Sequence, residues 1–348
     1  MENEKLLNIK PQLNIVALLG RPLSGFQLLL AFPVVVVLFF ALHLPVSSAA
    51  DQPSFLKGKW YLEPRLSDEF KGASLNKKKW LVGGLDGVCA NNWRNKVCSA
   101  SSAPWEGRAP SLFVESNIVV KRGKLKLKSR IDPRNSHFPV YEHGSNPPKL
   151  LIDPDCNCKY RKYTTAAVVS KASFRYGYFE TRAKIADVKL SSAFWAIGEC
   201  FEIDVFESVG DKRVISSSTH HDYGKDGYTK SSTLSFDPTT AFHTYGARWS
   251  KSRVDVYVDG DRVHSLTKKQ AQKKKQWPKK DCSMHVWLDN EVFSWYGYPK
   301  KNGSFEIDYV RVWSPCKKRG GACKSKRRCQ IECCSGRYRK KKKTLLCR

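Results

Sequence analysis

The stretch RVDVYVDGDRVHSL, from Arg253 to Leu266, decides the class of fold. Hydrophobic and polar residues alternate on both sides of Asp259-Gly260, a dipeptide that favours a two-residue hairpin turn. Such alternation places one row of side chains on each face of a sheet. The stretch therefore predicts two antiparallel strands joined by a tight turn.

The same pattern continues outward along the chain. Short alternating runs, bounded by Gly, Asn, Asp or Pro, extend from about Lys57 to Trp313, without sustained 3.6-residue periodicity. Examples are NIVVKRGKLKLKSR, YGYFETRAKI and FEIDYVRVW. Many short strands at close spacing are typical of an antiparallel sandwich or barrel. We therefore predict a single all-β domain over residues 51–314, and a large sandwich suits this length better than two small domains.

The N-terminal region carries a targeting signal. FQLLLAFPVVVVLFFALHLPV is strongly apolar and is followed by SSAADQ, which has small residues at the positions of a cleavage site. Residues 1–50 are therefore predicted to be a secretory signal, cleaved after about Ala50. The alternative is an uncleaved signal-anchor, because the apolar stretch approaches the length that spans a bilayer. Either reading predicts an extracellular protein, secreted or anchored to a membrane.

The cysteines predict two disulfide frameworks. The chain has 12 cysteines, which fits an oxidising compartment. Half lie in the main body and half in residues 315–348, so each part can pair internally. The C-terminal spacing is C-x₆-C-x₅-C-x₃-C-C-x₁₂-C without histidine, which disfavours zinc. A segment this short needs covalent bridges, and it resembles a knottin- or defensin-like module.

Positive charge is abundant and uneven. The formal net charge is +29, and the segment from Cys316 to Arg348 holds 14 Lys or Arg against the single acid Glu332. A second basic patch is TKKQAQKKKQWPKK. This composition favours polyanionic partners, namely nucleic acid, acidic membrane surfaces or acidic polysaccharides. Solvated surface charge is the alternative for each patch.

Three carboxylates interrupt an apolar run in GECFEIDVFESVG. Strict strand alternation places Glu202 and Asp204 on one face and turns Glu207 to the other. One extra residue, a β-bulge near Val205 or Phe206, would return Glu207 to the face of the first two acids. We therefore predict a bulge.

Converging acids suit a particular chemistry. Like charges at short range raise one pKa, and an acid beside an ionised carboxylate is the pair that cleaves a glycosidic bond. Two carboxyls on one strand favour the retaining separation of roughly 5–5.5 Å over the wider inverting one. The alternatives are an exposed acidic face paired with Lys or Arg, and a calcium site.

Here the sequence resembles a known family. EIDVFE resembles the bulged E-[IL]-D-x-x-E signature of glycoside hydrolase family 16. The resemblance extends to other segments of the family, in family order from Trp60 to Trp313. They are LSDEFKGASLNKKKW, YGYFETRAKI, SSAFWAIGE, YGARWSKSRVDVYVDGDRV and FEIDYVRVW. The resemblance implies a jelly-roll β-sandwich with an open substrate cleft on its concave sheet, and a retaining O-glycosyl hydrolase activity.

The resemblance also implies roles for individual residues. Glu202 would be the nucleophile, Glu207 the general acid/base, and Asp204 would assist by tuning the ionisation of Glu202. Trp195 would stack on a sugar in the cleft, with an ordinary core aromatic as the alternative. No cofactor is required. The family's structural calcium ion makes Asp308 its candidate ligand here.

Within the family, the substrate is the open question. LDNEVFSWYGYP resembles a stretch of the agarases, porphyranases and κ-carrageenases. That likeness implies cleft positions for Trp295, Glu291 and His221, and Trp93 with Arg94 would form a loop-borne stacking site. The positive charge independently favours a sulfated galactan over neutral agarose. The alternatives are a β-1,3-glucanase and a non-catalytic, lectin-like wall-binding protein.

Two further expectations concern pairing and partners. The chain departs from the family at GEC, where Cys200 precedes the acids, and we expect a disulfide with Cys282. Cys89 with Cys98 is plausible, whereas Cys156 and Cys158 would each pair elsewhere.

The expected partner is a polysaccharide bound by a monomer, without specific nucleic-acid binding, and the basic tail would adhere to an anionic wall or membrane surface.

Overall fold

A computed structural model describes residues 51–83, 107, 111–131, 140–141, 150–151, 163–198, 200–208, 213–221, 226–272, 277, 282–293, 296–318, 320–335, 337–341 and 344–347. The predicted signal or anchor at residues 1–50 lies outside these ranges. So do several residues singled out above: Trp93, Arg94, Trp295, Cys89, Cys98, Cys156 and Cys158. No helix in the described ranges is long and apolar enough to cross a membrane.

Strands dominate the described chain as far as residue 315. The exceptions are a 3-10 turn at Glu115–Asn117 and a short helix, α1, at Lys268–Gln272. The strands are β1 Trp60–Leu62, β2 Trp80–Val82, β3 Ser111–Phe113, β4 Ile118–Lys121, β5 Lys124–Ile131, β6 Val140–Tyr141, β7 Leu150–Leu151, β8 Tyr163–Thr165, β9 Ala167–Ser170, β10 Gly177–Lys184, β11 Ser191–Gly198, β12 Glu202–Ser208, β13 Val214–His221, β14 Asp226–Thr233, β15 His243–Trp249, β16 Arg253–Val258, β17 Asp261–Thr267, β18 Met284–Glu291 and β19 Gly303–Pro315.

Two large sheets form a sandwich. Among the described residues, the back sheet has the order β17-β16-β15-β10-β19-β5-β8-β3, with β1 beside β19 and β4 beside β5. The front sheet has the order β14-β13-β12-β11-β18-β9-β2. Neighbouring strands run antiparallel except β3 and β8, which are parallel. The predicted hairpin is the β16–β17 pair, and both Asp259 and Gly260 have the positive φ that its turn requires.

The core lies between the sheets and follows from strand alternation. In β5, Leu125 and Leu127 are fully buried, whereas the lysines that alternate with them, Lys124, Lys126 and Lys128, are half-buried. The rings of Phe206, in the front sheet, and Tyr245, in the back sheet, are 4.6 Å apart across the interface. Burying aromatic and aliphatic faces in this way is the main force that holds two sheets together. The structure confirms the all-β sandwich.

A second apolar cluster covers the outer face of the back sheet. The segment before β1 packs Phe55 and Leu56 against Tyr178, Tyr257 and Trp313. The Phe55 and Tyr257 rings stack at 4.4 Å. This cluster includes Trp313, near the end of β19.

The C-terminal segment is a small disulfide-held unit. It contains helix α2 at Lys326–Glu332 and strands β20 Ala322–Cys323, β21 Tyr338–Lys341 and β22 Thr344–Cys347, which form a sheet in the order β20-β22-β21. The disulfides are Cys316–Cys334, Cys323–Cys329 and Cys333–Cys347. Four of these cysteines form its buried core, so the bridges replace the apolar core that a segment this short lacks.

Candidate active site

The acid-bearing strand β12 contains the predicted bulge. Asp204 and Glu207 are three residues apart, but their partners on β13 are only two residues apart. The register against β11 on the other side shifts at the same place. Val205 and Phe206 thus occupy the space of one residue, and both are fully buried in the core.

The bulge sorts the side chains of β12 by face. Ile203, Val205 and Phe206 all belong to the core between the sheets. The Ser217 hydroxyl donates a hydrogen bond to the Val205 carbonyl at 2.8 Å, which satisfies a backbone group that the irregular ladder leaves out. Glu202, Asp204 and Glu207 are therefore left together on the outer face of the front sheet.

The turn before β12 fixes where the acids begin. The Gly198 amide donates to the Phe201 carbonyl at 3.0 Å. A Cβ atom at position 198 would lie 2.0 Å from the Ser283 carbonyl oxygen, so only glycine fits. The predicted Cys200–Cys282 disulfide is present and ties this turn to the segment that precedes β18.

Glu202 and Asp204 form a coupled pair. Burial, followed by the negative charge of Asp204, raises the pKa of Glu202 to about 8. Asp204 is only 3 % exposed, and burial with the charge of Glu207 raises its pKa well above the usual value. The two side chains hydrogen-bond to each other. Two carboxyls in this arrangement hold one proton between them over a wide pH range.

A histidine completes this group, and it is not the predicted one. His220 Nε2 lies 3.1 Å from Asp204 Oδ2. The ring lies over Gly227 on β14, where a Cβ atom would come within 2.5 Å of His220 Nδ1. The predicted cleft residue, His221, instead has its Nδ1 3.0 Å from the Cys200 carbonyl oxygen. Adjacent strand residues point to opposite faces, and the register places His220 opposite Glu202.

Trp195 lies on the acid face, directly opposite Asp204 in the β11–β12 ladder. Its ring stacks on Trp287 with 4.8 Å between centroids, and its Nε1 donates to Asp289 Oδ2 at 2.7 Å. These contacts hold a half-buried indole in one orientation beside the acids. Trp287 and Asp289 are missed by the sequence analysis, because their role depends on the pairing of β11 with β18.

This geometry can be compared with known proteins. A sequence profile described as "Beta-porphyranase A-D, GH16 domain" matches residues 60–315. The chain belongs to glycoside hydrolase family 16. The family resemblance and the jelly-roll fold expected from the sequence are thus confirmed, and the chain has the O-glycosyl hydrolase architecture of that family.

The relatives of this family 16 chain act on different polysaccharides. Beta-porphyranase B of Zobellia galactanivorans is 24% identical over 315 residues, covering 79% of this chain and 91% of the relative. Kappa-carrageenase of Pseudoalteromonas carrageenovora is 27% identical over 330 residues, covering 82% and 73%. The laminarinase catalytic domain of Thermotoga maritima has the same fold, with a TM-score of 0.57, 23% identity and coverage of 74% and 100%.

Glu291, the other described residue expected in the cleft of this family 16 chain, ends β18. It alternates in phase with Trp287 and Asp289, so it shares their face of the front sheet, and it is 5 % exposed. Its partner across the ladder is Ser191 on β11. The side chain therefore forms a buried part of the acid face, at the end towards Glu207.

Asp308 does not fit the predicted calcium ion. It lies on β19 of the back sheet, where its oxygens accept from Lys124 Nζ at 3.2 Å and Arg182 Nη1 at 2.7 Å. Burial would raise the pKa of Asp308, but these two hydrogen bonds outweigh it and lower the pKa. Calcium takes six to eight oxygen ligands, so a carboxylate between two cationic side chains is a poor site.

Proposed function

We propose that this chain is a secreted, monomeric, retaining endo-glycosidase that hydrolyses sulfated β-galactans of the porphyran or carrageenan type. The bulge in β12 carries the proposal, since it gathers Glu202, Asp204 and Glu207 on one face. A non-catalytic binder would have no need for three acids that repel one another at this place.

In the first step, Glu202 attacks the anomeric carbon while Glu207 protonates the departing glycosidic oxygen. A covalent glycosyl-enzyme forms and the shortened chain leaves. In the second step, Glu207, now ionised, removes a proton from water, and the resulting nucleophile displaces Glu202 from the sugar. Two inversions at the same carbon leave the product with the configuration of the substrate.

Asp204 keeps Glu202 ready for this attack. A nucleophile must be ionised, although its surroundings raise its pKa to about 8. If the proton of the pair resides on Asp204, its hydroxyl donates to Glu202 and its other oxygen accepts from His220 Nε2. The pair carries one negative charge up to about pH 8, and in this form of the pair the charge is on Glu202, which attacks. His220 is a positioning residue, which acts on the substrate only through Asp204.

Trp195 supplies the binding surface next to the acids. Its indole is fixed by Trp287 and Asp289 before substrate arrives, so little side-chain entropy is lost on binding. Sugar rings pack well on such flat aromatic faces. We assign it to a sugar adjoining the cleaved bond.

The proposed preference for galactans rests on the net charge of the chain and on the family profile that it matches. A net charge of +29 raises the local concentration of a polyanionic substrate and speeds encounter. The matched profile, named for porphyranases, supports the same class. The fold is equally that of a laminarinase, so a β-1,3-glucanase is the second candidate.

A panel digestion tests the function. Purified protein is incubated with porphyran, κ-carrageenan, agarose and laminarin, and reducing ends are counted for the parent and for Glu202→Gln. The proposal expects release from a sulfated galactan by the parent and loss of about 10⁴-fold or more in the variant. Release from laminarin alone would favour the glucanase. Equal release by parent and variant would remove Glu202 from the chemistry.

A further inference from the structure

A depression lies on the outer face of the back sheet, away from the acids. It has a volume of about 450 Å³. Its walls come from the end of β15, the β15–β16 turn, the start of β16, the end of β17 and the start of α1: Arg248, Ser250, Ser252, Arg253, Asp255, Thr267, Lys268 and Lys269. Four cationic side chains thus surround one acid.

The negative charge of that acid is already offset by neighbouring cations. Asp255 is 4 % exposed and accepts a hydrogen bond from the Ser265 hydroxyl at 2.6 Å. Arg253 and Arg262 approach the same carboxylate oxygen at 3.9 and 4.0 Å. The remaining cations, with the hydroxyls around them, leave a positively charged depression able to take a sulfate ester and neighbouring sugar hydroxyls.

The depression adjoins the basic tail. The Arg248 guanidinium lies 5.9 Å from the centre of the Trp60 ring, and Trp60 is paired with Pro315, where β19 ends and the tail begins. The Cys316 amide donates to the Lys59 carbonyl at 2.9 Å. No spacer separates the sheet from the tail, so the two basic surfaces are neighbours.

An ion pair fixes the tail to the sandwich. Arg328 on α2 donates from both terminal nitrogens to Glu63, at 2.9 and 2.8 Å. Glu63 is 4 % exposed, and a bidentate contact to a buried carboxylate holds both partners in one geometry. The tail is therefore a fixed part of this surface.

The remaining charge of the tail is turned to solvent. Its single acid, Glu332, is bound by Arg328 and by Lys317. The other described cations of the tail are exposed: Lys318, Lys324, Lys326, Arg327, Arg337, Arg339, Lys340 and Lys341. Nothing acidic in the tail offsets them.

We infer that the back depression and the tail together form a second binding surface for sulfated polysaccharide, separate from the catalytic face. This inference rests on the proposed function for its choice of ligand. A membrane surface is the less suitable partner, because membrane-binding elements insert apolar side chains. Among the described residues, the exposed large hydrophobic side chain is Tyr296, which is not part of this surface.

The test uses the full chain carrying Glu202→Gln, so that the polymer survives the measurement. A back-surface variant adds Arg253→Gln, Lys268→Gln, Lys269→Gln and Lys340→Gln. A control variant removes the same number of exposed cations from other elements, through Lys71→Gln, Lys78→Gln, Lys121→Gln and Arg130→Gln. Depletion from solution is measured with beads carrying κ-carrageenan or porphyran, with agarose beads, and with anionic phosphatidylserine vesicles.

The back-surface variant should bind the sulfated beads about tenfold more weakly or worse, with the control within about twofold of the parent. The difference should shrink as salt is raised. Unchanged binding to the sulfated beads would overturn the inference, as would a loss confined to the vesicles. Melting temperatures within about 2 °C of the parent confirm that the variants fold. Because binding is measured without turnover, a failure of the proposed hydrolysis would be seen separately in the panel digestion.

Discussion

At the level of single residues, the unusual feature of this chain is a pair of carboxyls that share a proton. Glu202 and Asp204 lie two positions apart on one strand, and burial raises the pKa of both. The negative charge of Asp204 adds to this for Glu202, and that of Glu207 adds to it for Asp204. Their ionisation should therefore appear both in stability and in activity. Unfolding measurements report how much the pair destabilises the folded chain, and kinetic measurements report how much it contributes to catalysis.

The first prediction concerns stability. Below about pH 4.5 the last proton of the Glu202–Asp204 pair is retained in the folded and unfolded chain alike. Above that pH the unfolded chain releases this proton while the folded pair keeps it, so the free energy of unfolding falls until about pH 8. Glu202→Gln should remove this loss and be more stable than the parent at pH 7 by ~2 kcal/mol, a value reduced for partial exposure. Urea unfolding at pH 4.5 and pH 7 measures it. An equal difference at both pH values would contradict the assignment.

The second prediction concerns the role of Asp204. Asp204→Asn removes the carboxyl that shares a negative charge with Glu202, so the pKa of Glu202 should fall and the acidic limb of kcat/KM should move to lower pH. The amide cannot exchange the shared proton, so kcat should also fall by about 10²-fold. A pH profile of the variant gives both. An acidic limb that does not move would mean that Asp204 has no part in that ionisation.

At the level of strands and turns, neighbours of β12 position the acids. His220 on β13 contacts Asp204, and Gly227 on β14 leaves room for the ring. The Cys200–Cys282 bridge holds the turn that leads into β12. Each can be altered without touching a carboxyl.

The third prediction follows from that packing. Gly227→Ala should lower kcat about tenfold, because its Cβ would lie 2.5 Å from His220 Nδ1 and displace the ring from Asp204. His220→Ala should give a similar loss, and the two changes together should cost little more than one. Steady-state kinetics of the single and double variants measures these losses. Thr233→Ala, at an exposed position on the same strand, is the control. Additive losses would mean that the two residues act separately.

The fourth prediction concerns the disulfide, which closes a loop with a sequence separation of 82 residues. Replacing Cys200 and Cys282 together by serine should lower the free energy of unfolding by about 4 kcal/mol, since a long loop regains its freedom in the unfolded chain. Activity at low temperature should persist, because the register of β12 with its neighbours also holds the acids. Urea denaturation with an activity assay at 10 °C decides. A drop below about 1 kcal/mol would show that the bridge constrains little.

Some of these features could be predicted from the sequence, and others could not. The spacing of Glu202, Asp204 and Glu207 in an apolar run predicted the bulge, and Asp259-Gly260 predicted the hairpin. Both features could be predicted because each depends on residues that are close in sequence. His220 was missed because two adjacent histidines on a strand are told apart only by its register. The cationic partners of Asp308, Lys124 and Arg182, could not be predicted, since they are distant in sequence and are brought together by the back sheet.

At the scale of the whole molecule, the main feature is a basic tail that is attached to the sandwich. The family match ends at residue 315, whereas the basic tail continues as a unit docked on the sandwich. The docking depends on a carboxylate, Glu63, for which burial raises the pKa but the hydrogen bonds and charge of Arg328 lower it below the usual value. A pair of this kind is costly to break from one side.

The fifth prediction tests this attachment. Arg328→Gln leaves Glu63 buried beside an uncharged partner and should lower the free energy of unfolding by about 3 kcal/mol. Adding Glu63→Gln should recover part of that loss, because two amides carry no unpaired charge. Urea unfolding of both single variants and of the double variant measures the coupling. Strictly additive losses would indicate that the two side chains do not depend on each other.

The central claim is that the bulged strand makes Glu202 the nucleophile and Glu207 the acid/base. The most direct measurement is the anomeric configuration of the glycosyl azide formed when each glutamate is replaced by alanine and azide is added with an activated aryl β-galactan oligosaccharide. Azide should attack directly from the vacant side in Glu202→Ala and give the α-azide. In Glu207→Ala it should displace Glu202 from the covalent intermediate and give the β-azide. The opposite assignment, or the same anomer from both variants, would contradict the account.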